Sequence, residues 1–183
     1  SSFVRNPPYM LRNPITLLVS LGLLLSVLLT GCGSKYDRST PEAFAQSLVQ
    51  CINNKDQDGL REFAPTKEEL LDAVERGAGS EEEKAKRKVR MREEWPRMKK
   101  AIDKRIFGEF AEMIEASGTE GKDLAKIQYK SVELDEERKN EDLTMRNITV
   151  ICEYEGEEVK VYVRRAAEFK SGWVMSPTGF RIR

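Results

Sequence analysis

Residues 148–163 read ITVICEYEGEEVKVYV, and this stretch decides the fold. Ile148, Val150 and Cys152 recur at every second position, as do Val159, Val161 and Val163. That is the period of a strand with one buried face. Between the two runs lies Glu155-Gly156, a pair suited to a two-residue hairpin turn. Closing the hairpin there sets Cys152 opposite Val159, Val150 opposite Val161 and Ile148 opposite Val163. A slip of one residue would bring lysine against the apolar row, so the register is strongly specified. A sheet with one apolar face needs a cover.

The pattern extends in both directions. Downstream, a Lys170-Ser171-Gly172 turn is predicted to pair Phe169 with a last strand that begins at Trp173. Upstream, Ile127 and Tyr129 lie on one parity and Val132 and Leu134 on the other, which a bulge near Lys130 reconciles. An acidic loop, Asp135 to Asp142, joins this strand to the hairpin. The sum is an antiparallel meander of about four strands.

The cover comes from the N-terminal half. Ser39 with Glu42 reads as a capping box, with Pro41 in the first turn of a helix carrying Phe44, Leu48, Cys51 and Ile52 on one face. Leu60 and Phe63 mark a short second helix that stops at Pro65. Thr66 with Glu69, then Ser80 with Glu83, open two further helices in the same way, and Gly77 and Gly79 separate them. The last helix is charged, and Pro96 is predicted to kink or restart it. Beyond Pro96, Met98, Ile102, Ile106, Phe110, Met113 and Ile114 form an apolar stripe that ends at Gly118. Helices first and strands afterwards make an α+β domain, with N-terminal helices packed on the sheet.

Charge narrows the function. The chain of 183 residues has 31 bases and 31 acids. Residues 1–31 hold Arg5 and Arg12 and no acid, so the remainder is slightly acidic. That balance argues against a nucleic-acid binder. There is no histidine, which excludes Ser-His-Asp and Cys-His nucleophile systems and any histidine-ligated metal. No Gly-rich phosphate loop and no CxxC pair occurs, so neither cofactor nor metal is expected.

The N-terminal segment supplies an address. Met10 reads as the true start, followed by a short basic region, an apolar run from Ile15 to Leu29, and then Leu29-Thr30-Gly31-Cys32. This order matches a secretory signal, and the run is short for a permanent span. Leu29, Thr30, Gly31 and Cys32 resemble the bacterial lipobox. The resemblance implies a diacylglyceryl group on the Cys32 thiol and cleavage after Gly31. Two or three acyl chains make such an anchor effectively permanent, where one binds marginally. The expected division is a leader over 1–31, a lipidated tether over 32–38 and one α+β domain over 39–183. Gly33, in place of an aspartate, leans toward an outer membrane where the envelope has one.

TPEAFAQSLVQCINNKDQDGLREF, KSVELDEE, EYEGEEVKVYV and SGWVM together resemble bacterial lipoproteins of the nuclear-transport-factor-two-like superfamily. The resemblance spans roughly residues 39–175. It implies a helix shortly after the lipidated cysteine, a short helix after a polar break, and a curved closing sheet with a tryptophan after a glycine turn. The Pro177-Thr178-Gly179 stretch is an insertion relative to that pattern. The resemblance implies that enzymes of this superfamily use acids, histidines and tyrosines inside a cone-shaped cavity, which makes Tyr129, Tyr162, Glu133 and Glu168 candidates by chemistry. No two of them stand at a diagnostic spacing.

Three further features carry alternatives. Cys51 and Cys152 sit on expected core faces, as a disulfide in an oxidising compartment or as two free buried thiols. Lys84, Lys86, Lys88 and Arg90 lie in a basic helical run, which is either a contact for anionic lipid headgroups or a solvated face of salt-bridged pairs. Trp173 is core or ligand platform. The leading expectation is a non-catalytic binding or protein-interaction module, tied to the membrane through Cys32, with an envelope protein as partner. The alternative is a small-molecule-binding or enzymatic domain that uses the sheet cavity. An interior filled by Phe44, Ile106 or Phe110 favours the module.

Overall fold

The structure, a computed structural model, describes residues 34–140 and 142–183. The leader, Leu29, Thr30, Gly31 and the lipidation candidate Cys32 lie outside the described residues. Ser34 to Arg183 is one compact unit. Helix α1 spans Pro41–Asn53, a 3-10 turn Gly59–Phe63, α2 Lys67–Arg76 and α3 Glu81–Ile102. A π-helical segment, Asp103–Gly108, leads into α4, Glu109–Thr119. The strands are β1 (Gln128–Leu134), β2 (Arg138–Asn140), β3 (Leu143–Tyr154), β4 (Glu157–Phe169), β5 (Gly172–Val174) and β6 (Phe180–Ile182). They form one open antiparallel sheet in the order β1-β3-β4-β5, with β2 on β3 and β6 on β4.

The central hairpin has the register its sequence specifies: Cys152 opposite Val159, Val150 opposite Val161, Ile148 opposite Val163. Glu155 and Gly156 take φ of 52° and 89°, the left-handed values that a two-residue turn requires. The bulge in β1 is also present, between Tyr129 and Ser131. Both capping boxes, Thr66 with Glu69 and Ser80 with Glu83, are formed.

Several boundaries differ from expectation. The cap of α1 is Thr40, whose hydroxyl accepts the Ala43 N–H at 3.1 Å, because the Ser39 N–H is already given to Asp37. Helix α3 runs through Pro96 without a break. The carbonyl that proline leaves unpaired belongs to Arg92, an exposed residue that water can reach. The helix loosens later, in the π segment. The turn before β5 has two residues, Lys170 and Ser171, so Phe169 pairs with Gly172 and Trp173 stands opposite Glu168. Strands β2 and β6 were not expected, and they raise the count from about four to six.

One irregularity shapes the sheet. Arg146 pairs with Ala166 and Ile148 with Val163, so Arg164 and Arg165 together face the single residue Asn147. Arg165 sits at φ 53°, and its N–H donates to Asn147 Oδ1 at 3.0 Å. The extra residue inverts the alternation beyond it. Val161, Val163 and Ala166 point into the main core with Phe44, Leu48, Ile106 and Phe110. Ala167 and Phe169 point the other way, into a second cluster with Leu70, Ala73 and Val174. The α2–α3 pair supplies the cover there, and Trp95 and Met98 border both clusters.

The segment expected as a tether belongs to the fold. Tyr36 is 2% exposed and stacks against Phe63 at 5.2 Å between ring centroids. The Arg38 carbonyl accepts the Trp173 N–H at 2.7 Å. Gly172, at φ 113°, has no room for a Cβ because the Arg38 backbone lies against it.

Candidate functional site

Residues 34–36 are held by two carboxylates of the 53–63 region. Asp56 accepts the Tyr36 hydroxyl at 2.7 Å, the Lys35 ammonium at 2.5 Å and the Gly59 N–H at 2.9 Å. These donors, Lys35 first, hold its carboxyl down at about 2. Glu62 accepts the N–H groups of Lys35 and Tyr36 at 3.0 and 3.2 Å, beside the Ser34 hydroxyl. Burial pushes the Glu62 carboxyl up, but these hydrogen bonds outweigh it and the net direction is down. The clasp fastens the chain two residues after Cys32.

Cys51 and Cys152 are both buried and free. Burial pushes their thiols up to about 12 and about 11, so neither is a thiolate near neutral pH. Cys51 donates to the Asp56 carbonyl at 3.3 Å. On α3, Lys84 pairs with Glu81, Lys86 with Glu82 and Lys88 with Glu75. Arg90 alone of the four basic candidates lacks such a partner among the described residues. Trp173 is buried in the main core.

The acid and tyrosine candidates are spread over the sheet. Tyr129 packs against the main core and Glu168 is exposed near β5. Glu133, Thr149, Tyr162 and Arg181 form one row across β1, β3, β4 and β6 on the face away from the core. Glu133 and Tyr162 are two strands apart in that row, about 10 Å at ordinary strand spacing, which is too far for proton transfer between them.

The row does open onto a feature that sequence reading missed. A cleft of about 440 Å³ is walled by Arg105, Arg164, Arg181 and Arg183, with Tyr162 and Thr149 at its base. The alternation that buries Val161, Val163 and Phe180 turns Tyr162, Arg164 and Arg181 outward. Arg183 stacks on Tyr162 at 5.9 Å. Arg105 arrives from the π segment, whose backbone lies against Gly179. A Cβ on Gly179, already at φ 70°, would overlap the Arg105 carbonyl oxygen. Ser176 and Thr178, in the loop before β6, place their hydroxyls on the Arg164 carbonyl at 3.0 and 3.4 Å.

Asp135 is the one acid in the wall, and it is engaged by the Asn147 amide at 2.7 Å. Among the described residues, none of the four guanidiniums has a hydrogen-bond or ion-pair partner. Beyond Asn147, a second cleft of about 500 Å³ is walled by Arg138, Lys139, Arg146 and Arg165. The available signals were the Arg164-Arg165 pair interrupting a clean alternation, and Arg181 and Arg183 two residues apart.

Among the described residues no group of three or more acid or cysteine side chains is placed to hold a metal ion, and no helix is long and apolar enough to cross a membrane. Compared with known proteins, the chain matches no family model, no curated protein and no solved structure.

Proposed function

We propose that this protein is an exported envelope lipoprotein, anchored through acyl chains on Cys32, whose α+β domain is a non-catalytic binding module at the membrane surface. The observation that carries the module reading is the filled interior. Phe44, Ile106 and Phe110 are each 0% exposed and occupy the space between helices and sheet. A ligand cavity under the helices would need that space. Both arginine-walled clefts open elsewhere.

The anchor reading rests on Leu29-Thr30-Gly31-Cys32 after an apolar run, and the clasp at Ser34–Tyr36 supports it. With Gly33 alone between anchor and clasp, the domain would be held close against the bilayer. Intact mass of the membrane-extracted protein tests this. The expected species begins at Cys32 and carries added acyl mass, and Cys32→Ala leaves an uncleaved precursor without it. A wild-type chain that begins upstream of Cys32 with no lipid mass overturns the proposal.

A further inference from the structure

We infer that the cleft walled by Arg105, Arg164, Arg181 and Arg183 is a binding site for phosphate groups. The inference goes beyond the anchored-module reading and holds whether or not residue 32 carries lipid.

Three observations carry it. The first is a concentration of like charge in excess of its compensation. Four guanidiniums share one cleft of about 440 Å³ with a single acid, and that acid is occupied by Asn147. Elsewhere in the molecule bases are commonly paired, as Lys84, Lys86, Lys88, Lys99, Lys126 and Lys130 are. Guanidiniums that line one cleft repel one another, and an anion in their midst relieves that repulsion.

The second is side-chain type. All four cations are arginine. A guanidinium offers a planar fork of N–H donors that matches phosphate oxygens in pairs, whereas a lysine ammonium acts as a point charge. Thr149 adds a hydroxyl to the wall, and a hydroxyl can donate to a phosphate oxygen.

The third is placement. Arg164 and Arg181 stand on paired strands, and Tyr162 lies directly opposite Arg181. Arg183 is steadied by the Tyr162 ring. Arg105 is brought in from a π segment, a local widening of the helix that recurs at functional sites. Gly179 allows that segment to touch the loop before β6. Sites on strands and packed helices hold their geometry better than sites on free loops.

The test uses the full chain, purified in neutral detergent, in calorimetric titrations with pyrophosphate and with glycerophosphoglycerol, the deacylated headgroup of an anionic phospholipid. Two variants with equal change in net charge are compared: Arg164→Gln with Arg181→Gln in the cleft, and Arg90→Gln with Arg97→Gln on exposed α3. The expected result is saturable pyrophosphate binding that weakens at least tenfold in the cleft variant and less than twofold in the α3 variant. Binding of glycerophosphoglycerol with the same variant pattern, at equal or higher affinity than pyrophosphate, assigns the phosphate to a lipid headgroup. Binding of pyrophosphate alone assigns it to a soluble ligand. The inference is overturned if wild type binds neither probe at millimolar concentration, or if both variants lose binding equally. Circular dichroism of the cleft variant keeps a folding defect from passing for loss of a site; should it unfold, Arg164→Lys with Arg181→Lys retains charge and is expected to weaken pyrophosphate binding severalfold.

Discussion

The two faces of the β3–β4 hairpin are made by one alternation and have opposite characters. Val161 and Val163 face the helices, 1% exposed each, in a core closed by Phe44, Ile106 and Phe110. Tyr162 and Arg164, their immediate neighbours, face outward into a charged cleft. The inner face is specified by packing, where a change of one methylene is felt. The outer face carries Tyr162, Arg164 and Arg181, more open to solvent than the inner row, and surface substitutions ordinarily change stability little. Stability and the candidate site therefore reside on different sides of the same strands.

The largest expected effect comes from breaking the inner face. Phe110 is fully buried and meets Phe180 edge-on at 6.2 Å. Phe110→Ala should lower unfolding free energy by about 3–5 kcal/mol, read by urea denaturation. A loss below about 1 kcal/mol would mean that the interior is loosely filled, and the case for a plugged cavity would fall.

The junction between the faces should give an intermediate effect. Gly179→Ala meets both a left-handed backbone and the Arg105 carbonyl. It is expected to cost about 1–3 kcal/mol, and also to weaken pyrophosphate binding, because Arg105 and β6 shift together. Loss of stability with intact binding would show that the π segment does not position the cleft.

The smallest effect belongs to the outer face. Arg164→Gln with Arg181→Gln should change stability by no more than about 0.5 kcal/mol, or raise it slightly as repulsion is relieved. A loss of 2 kcal/mol or more would make these arginines structural and erase the contrast between the two sides.

How much was legible follows from the range of each interaction. The Thr66/Glu69 and Ser80/Glu83 caps, the Glu155-Gly156 turn and the hairpin register were all readable, because each depends on residues close in sequence. The β1 bulge was readable because a parity change shows in the alternation itself. The β4 bulge leaves a fainter mark, Arg164-Arg165 between Val163 and Ala166. Its partner, the Asn147 side chain, lies 18 positions away and has no local signature. Strand β6 was missed because three residues after a Pro-Thr-Gly turn carry too short a pattern to read.

By itself, then, the sequence determined an α+β layout, the inner row of the sheet and the caps of two helices, because periodicity and capping act over a few residues. Only the tertiary structure decided that Tyr36 and Arg38 belong to the fold, that α3 continues through Pro96, and that four arginines meet in one cleft. Arg105 and Arg181 lie far apart in the chain, and what joins them is the packing of a widened helix against the glycine before β6. No local pattern encodes such a meeting, since it depends on which buried surfaces happen to face each other once the chain has closed.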